Sequence, residues 1–344
     1  MVVPEAVCFL GAKPIFVDID PLTYNVSFDR IEEAVDAGRH PVKAIVVQHT
    51  YGLPVDTAPI VKWACQRGVS VVEDCCHSLG SRYPNEFGRW QDVGTLGDAA
   101  FFSSQWSKPV STGLGGWAAT NSTALTERVR SFEAKECLSP SWLECTLLAG
   151  QTAGRALFSS PSSFWFAQTM HRFLVHAGIG IGSSSAEELR GEMPRGYAKR
   201  MSRFQRWLLQ CKMARSGEVI QHRKHLQVIY EEELREAGLP IYRAAGTDAV
   251  LLRYPVRVEN KEEVLDSARR NRIELGDWFN HPLHPKESNH TALGYRRGMC
   301  PNAEDAAQQV INLPLHSRVS EEVARDTVEF LKRVARPTRF QAFA

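Results

Sequence analysis

Through its first third the chain alternates short apolar runs with amphipathic stretches, the pattern of strands buried between helices. Pro14 to Asp18 reads as a strand. Phe28 to Ala37 sets Phe28, Ile31, Ala34 and Val35 on one face of a predicted helix, with Ser27 placed as its N-cap. Lys43 to Gln48 predicts a second strand, Thr57 to Arg67 a helix closed by Gly68, and Val69 to Glu73 a third strand that delivers Asp74 at its end. This β-α-β-α-β order predicts a parallel sheet with right-handed crossovers, and such sheets bind ligands beyond the carboxyl ends of their strands.

After Asn121 the pattern changes. Helical periodicity covers 123 to 137 and 203 to 236, and the segments Leu239 to Tyr254 and Val264 to Trp278 predict strand and helix elements of a smaller α+β unit. The predicted organisation is a large α/β domain over 1–125, a helical connection over 126–220 with an unusual stretch near 138–190, and a small domain over 221–344. Within that stretch, Leu147 to Gly182 is rich in Phe, Trp, Leu and Ala but interrupted by Arg155, Pro161, His171 and Arg172. Its apolar residues suit core or dimer packing, with a surface-lying amphipathic piece as the alternative.

Composition narrows the class. At 344 residues and 43% hydrophobic content, the chain can bury a sizeable core. A net charge of +2 argues against nucleic acid or an anionic membrane as the main partner. Its eight cysteines show no paired metal-ligand spacing and read as reduced, mostly buried side chains of a cytoplasmic protein, so no metal is assigned. Met1 to Glu5 lacks the pattern of a signal peptide, and no apolar run is long enough to predict a transmembrane segment.

The candidate chemistry gathers at three predicted strand ends and loops. Lys108 stands just before a cluster of glycines, Asp74 ends a hydrophobic strand, and Ser103 follows the apolar run Ala99 to Phe102. An amine, a carboxylate and a hydroxyl are what pyridoxal 5'-phosphate requires: a lysine for its aldehyde, a carboxylate to keep its pyridine nitrogen protonated, and a donor for its phosphate. Each residue alone has an ordinary explanation. A lysine near glycines is commonly a solvated loop residue, and a strand-end aspartate a helix N-cap or turn residue.

Longer segments weigh toward the cofactor. These are Gly11-Ala12-Lys13-Pro14-Ile15-Phe16-Val17-Asp18-Ile19-Asp20, His49-Thr50-Tyr51-Gly52-Leu53-Pro54-Val55-Asp56, Val72-Glu73-Asp74-Cys75-Cys76-His77-Ser78-Leu79-Gly80 and Gly94 to Ser103, then Gly115 to Asn121. Near the other end come Ala303-Glu304-Asp305 and Ile311-Asn312-Leu313-Pro314-Leu315-His316. In this order they resemble the DegT/DnrJ/EryC1/StrS family of sugar aminotransferases, over roughly half to two-thirds of the chain. The resemblance implies a three-layer, mostly parallel sheet of the pyridoxal-phosphate fold type I with a smaller C-terminal α+β domain.

It also implies roles. Lys108 matches the lysine that binds the cofactor and shuttles the proton, Asp74 the partner of the pyridine nitrogen, Ser103 a phosphate-binding serine, and Ser107 the hydroxyl residue before the lysine. His77 falls where relatives have a glutamine or histidine near the cofactor ring; capping or packing in the first turn of a following helix is the alternative reading. The implied activity is ping-pong transfer of an amino group, from glutamate as amino-acid donor, to a nucleotide-sugar substrate by a homodimer. The competing expectation is a catalytically degenerate protein of the same fold with a binding or regulatory role. Relatives that are dehydratases carry histidine at the lysine position, so Lys108 favours transamination.

Against that family, 138–190 reads as an insertion, and two departures bear on cofactor grip. Members carry, upstream of the part matched at Pro4, a Gly-Thr turn whose helix N-terminus binds the phosphate; a truncated sequence is the expectation here. In Gly196-Tyr197-Ala198-Lys199-Arg200-Met201, Ala198 replaces an asparagine that in relatives reaches a neighbouring subunit's phosphate, leaving Lys199 or Arg200 as substitutes or as ordinary solvated charges. His281 and His284 stand as possible substrate contacts or structural loop residues.

Overall fold

The computed structural model of the chain describes residues 2–36, 41–157, 185–242 and 246–338. It runs through α1 (Val2–Phe9), α2 (Phe28–Asp36), β1 (Ala44–Gln48), α3 (Ala58–Gln66), β2 (Ser70–Asp74), the hairpin β3 (Arg82–Pro84) and β4 (Trp90–Asp92), β5 (Ala99–Ser103) and β6 (Gly116–Ala119). There follow α4 (Thr123–Glu136), α5 (Trp142–Leu157), the single turn α6 (Ala186–Leu189), α7 (Arg203–Ala214) and α8 (Ser216–Glu236). The chain then forms β7 (Arg253–Arg257), α9 (Lys261–Arg270), α10 (Pro301–Gln309), β8 (Val310–Pro314) and α11 (Glu321–Val334).

The main sheet has the order β1-β2-β5-β6, with the first three strands parallel and β6 antiparallel. Gln48 lies opposite Asp74, and Asp74 opposite Phe101, so the carboxyl ends of β1, β2 and β5 finish along one edge. The crossover α3 buries Ile60, Trp63 and Ala64 against Ile31, Val47 and Val71. It stops at Gly68, whose φ of 64° is available to glycine without a Cβ clash. A second apolar core joins Leu226 and Tyr230 of α8, Tyr254 of β7, Leu313 of β8 and Leu331 of α11, and it reaches Tyr51 and Leu53 beyond β1.

The mostly parallel sheet agrees with the prediction, and several elements differ. Pro14 to Asp18 forms no strand; among the described residues the nearest pairing is the bridge Ile19–Val26 just after it. Asp18 serves as a clamp instead, accepting hydrogen bonds from the amides of Asn302 (2.9 Å) and Ala303 (3.0 Å) in the first turn of α10. The helical stretch 203 to 236 breaks at Arg215 into α7 and α8, and α9 ends at Arg270, well before Trp278. No helix follows His77; residues 75–81 are turns and irregular backbone, so the helix-cap alternative for it falls away. Ala37 and most of the apolar stretch, residues 158–184, lie outside the described residues.

All eight cysteines are free thiols, but only Cys75 and Cys300 are buried and Cys65 and Cys211 are exposed, fewer buried than expected. Among the described residues no helix is long and apolar enough to cross a membrane.

Asp18 supplies the acceptor that the open amides at the start of α10 require. Asp18→Ala should lower stability by about 1–2 kcal/mol, read as a reduced urea midpoint at unchanged slope. An unchanged midpoint would show that water caps the helix equally well.

Candidate active site

Successive residues of a strand point to opposite faces, so β2 ends with two carboxylates that do different work. Glu73, fully buried, accepts from the amides of Leu96 (2.9 Å) and Gly97 (2.7 Å) through Oε1 and from Gly94 (2.9 Å) through Oε2. His49 Nδ1 accepts from the Val55 amide, which leaves Nε2–H to donate to Glu73 Oε2 at 3.2 Å. Burial raises the Glu73 pKa, but the bonds from His49 and the Gly97 and Gly94 amides outweigh it and hold the carboxyl below its ordinary range. His49, Glu73 and Cys75 sit close enough together to resemble a metal site. The carboxylate and imidazole are committed to protein donors and acceptors, and the trio is a structural knot.

Asp74 faces the other way, buried, with Oδ1 accepting from the Cys76 amide at 3.0 Å. Lys108 comes to the same region on the loop between β5 and β6. That loop is closed by Ser104 N–H to Gly115 O (2.9 Å), Thr112 N–H to Ser104 O (2.8 Å) and a 2.7 Å contact between the Ser104 and Thr112 hydroxyls. Gly113, at φ 89°, has no room for a Cβ, which would lie 2.6 Å from Leu148 Cδ1. From outside, Gln205 donates to Leu114 O (2.6 Å) and Lys212 to Ser111 O (2.7 Å).

Lys108 is buried, and among the described residues its Nζ makes no hydrogen bond or ion pair; it lies 5.2 Å from the centre of the Trp278 ring. Burial pulls its pKa down to about 8, with Cys76 and Asp74 opposing the shift and Arg253 and Arg223 adding to it. His77 is buried, its imidazole stacked on Trp278 at 5.5 Å and 23°. Its Nδ1 has no hydrogen-bond partner. Burial first, then the charges of Lys108 and Arg253, keep its pKa well below the ordinary histidine value, so the ring is neutral at pH 7. Ser103, at the end of β5, accepts from the Gln105 amide at 3.3 Å, and the buried Ser107 Oγ has no partner.

Lys108, Asp74 and His77 therefore share one region, with Ser103 at the root of the lysine loop. Lys199 and Arg200 are engaged elsewhere: Lys199 pairs with Glu144, and Arg200 donates to the carbonyls of Glu133 (3.0 Å) and Ala134 (2.8 Å) at the end of α4. His284 Nδ1 contacts Asn280 Oδ1 at 2.6 Å and its ring meets Trp278 edge-on, while His281 stacks on His290 at 3.6 Å.

Sequence reasoning missed Trp278 and Arg253. The Arg253 guanidinium lies 4.7 Å from the centre of the same Trp278 ring that Lys108 faces. The Trp278 backbone is fixed by Tyr51, whose hydroxyl donates to Trp278 O (2.5 Å) and accepts from Phe279 N–H (3.1 Å). Tyr51 is posted there by the turn at Gly52, where φ is 105° and a Cβ would strike Val250 O at 2.3 Å. A tryptophan after Gly276-Asp277 carries no motif that marks it in a single sequence.

The mostly parallel sheet is that of the fold-type I aminotransferases, and Lys108 and Asp74 lie on one edge of it. An aminotransferase from Brucella abortus has the same fold, with a TM-score of 0.69 at 21% identity over 96% of this chain and 75% of that one. The chain belongs to the DegT/DnrJ/EryC1/StrS aminotransferase family, whose profile matches residues 3–145 and 166–332. It is similar to the GDP-perosamine synthase of Escherichia coli O157:H7, 38% identical over 131 residues, 38% of this chain and 34% of that protein. It is also 25% identical over 321 residues to the UDP-N-acetyl-3-dehydro-alpha-D-glucosamine 3-aminotransferase of Acidithiobacillus ferrooxidans, covering 92% of this chain and 70% of that one.

Folding lowers the Lys108 pKa from 10.5 to about 8. Between those values the unfolded chain binds more protons than the folded one, so this lysine's contribution makes stability rise with pH across that window. Below pH 8 the full penalty of burying the charged amine is present. Lys108→Met should therefore be more stable than the parent at pH 7, by roughly 1–3 kcal/mol, and lose that advantage toward pH 10.5. A difference independent of pH in denaturant titrations would show that Lys108 keeps an ordinary pKa.

Proposed function

We propose that the chain transfers an amino group from an amino acid, glutamate in the first instance, to the ketone of a nucleotide-linked sugar, with pyridoxal phosphate held at Lys108. The observation that carries this reading is a buried lysine, free of ion pairs among the described residues, in the same region as a strand-end aspartate, and burial pulls its pKa down to about 8. The sugar substrate is supported by the names of the two relatives, both of which refer to nucleotide-linked sugars.

The residues present fit the cofactor. A neutral amine is the form that attacks an aldehyde, and burial supplies it near physiological pH. The partnerless Ser107 Oγ and His77 Nδ1 are buried polar atoms that a bound polar group would satisfy. Asp74 would hold the pyridine nitrogen, and Ser103 with Ser107 the phosphate. When bound, pyridoxal phosphate supplies the electron sink that makes the donor's α-carbon acidic. Lys108 then acts as general acid and base, moving one proton at the substrate carbon in each half of the exchange. The Trp278 indole packs against the Lys108 and His77 side chains, so a cofactor held at Lys108 would have to move that ring aside.

A homodimer and a cytoplasmic setting belong to the same reading. Helix α4 has no buried residue, and Val129, Phe132, Leu138, Trp142 and Leu143 of α4, α5 and their connection are exposed, an apolar surface that suits a second copy. Free thiols at all eight cysteine positions suit a reducing compartment.

Pyridoxal phosphate should develop a visible absorption band on mixing with the chain, quench part of its tryptophan fluorescence, and become fixed by borohydride on the peptide that contains Lys108. Lys108→Ala should abolish fixation and lower transamination by roughly two to four orders of magnitude. No uptake at saturating cofactor would return the chain to a binding or regulatory role. Sedimentation at micromolar concentration should show a dimer, and a monomer there would overturn the pairing of the α4 and α5 surface.

A further inference from the structure

We propose that Arg253 reads the carboxylate of the amino donor, turning the donor's amine toward Lys108; this rests on the transamination reading. Arg253 is carried on β7, in the sheet of the second apolar core, and its guanidinium faces the same indole ring as Lys108 Nζ. The two cations thus border the space that one side chain, Trp278, fills. Displacing that ring leaves both facing a single small volume.

The guanidinium is uncommitted. Among the described residues it has no ion pair and no hydrogen bond, only the ring contact. The carboxylates that feel its charge, Glu274 and Asp277, have partners of their own: Glu274 meets His316 Nε2 through both oxygens at 3.0 Å, and Asp277 accepts from Asn280 Nδ2 at 3.2 Å. Neighbouring Arg223 is spent on the carbonyls of Leu251 (3.1 Å) and Leu252 (2.8 Å). A guanidinium drawn out of water with carboxylates nearby but none in contact is left to be paired directly by a ligand.

The chain also keeps room for it. A Cβ on Gly276 would lie 2.5 Å from Arg253 Nη1, and Gly276 has no positive φ that would otherwise call for glycine. Its backbone is held in place by mutual hydrogen bonds with Asn312 (2.9 and 2.8 Å). A methyl there would also meet Asn312 Oδ1 at 3.3 Å, so alanine would push the guanidinium tip aside rather than exclude it.

The chemistry of the ligand follows from the distance to the reacting amine. In an α-amino acid the carboxylate is bonded to the very carbon that bears the amine, so its counter-charge must lie within one small molecule of Lys108. The diphosphate of a nucleotide sugar lies at least a sugar ring away from most ketone positions. A planar fork of N–H donors pairs with a carboxylate through two parallel hydrogen bonds.

The test compares L-glutamate with benzylamine, an amine donor that has no carboxylate, in single-turnover absorbance on the cofactor-loaded chain. Arg253→Met should lower the ratio of the glutamate rate to the benzylamine rate by about a hundredfold, the size of a lost charge-assisted pair. Gly276→Ala should lower it in the same direction, and Arg253→Lys should restore part of it. Calorimetry on the cofactor-free chain should show 2-oxoglutarate binding weakened at least tenfold in Arg253→Met. Equal losses with both donors, an unchanged 2-oxoglutarate affinity, or a weakening seen only with inorganic pyrophosphate would each overturn the assignment. Uptake of pyridoxal phosphate by Arg253→Met separates this outcome from failure of the Lys108 site, since that site does not require the arginine.

Discussion

The arrangement of the site depends on one buried carboxylate. Glu73 gathers three backbone amides from the segment 94–97 and the imidazole of His49, so it ties the end of β2 to the turn after β1 and to the entry of β5. A buried carboxylate is tolerated only when its lone pairs are filled, and here four donors fill them. The pleat then leaves Asp74 no choice of direction: with Glu73 locked inward on one face, its neighbour must present to the other. Lys108 reaches that second face because β5 lies in parallel register with β2, which brings the lysine loop out at the same edge.

The side of the sheet that carries Lys108 is assembled against local stability. Lys108, His77, Arg223 and Arg253 bring positive or titratable groups into a largely apolar region, and each has its charged form disfavoured by burial. Elsewhere the chain is consistent: apolar faces meet apolar faces, and helix starts such as Ser122, Ser202 and Ser320 are capped by their own side chains. Where a sequence departs from good packing while its surroundings obey it, a functional site is the usual reason.

Much of this was legible in the sequence for a physical reason. Strands β1 and β2 are buried on a parallel sheet, so their apolar runs stand out, and α3 between them shows clear helical periodicity with a glycine stop. Pro14 to Asp18 has the same composition as a strand but no partner beside it; pairing is a property of the neighbours and leaves no mark within the segment. Lys108, Asp74, His77 and Ser103 were visible because they sit in segments of recognisable order. Arg253 and Trp278 come from distant parts of the chain and meet only through folding, so nothing local singles them out. The clamp role of Asp18 was hidden for the same reason, since its partners are the amides of Asn302 and Ala303.

The hydroxyl of Tyr51 holds both polar groups of the peptide between Trp278 and Phe279, as donor to the Trp278 carbonyl and acceptor from the Phe279 N–H. With the main chain pinned at that point, the freedom left to the indole is rotation about its own side-chain bonds. Side-chain rotation belongs to a faster class of motion than rearrangement of a whole loop, even when packing slows it. Movement of the ring beside Lys108 is thereby uncoupled from the breathing of the surrounding fold, and a stiff backbone and a mobile side chain can coexist at one point of the chain.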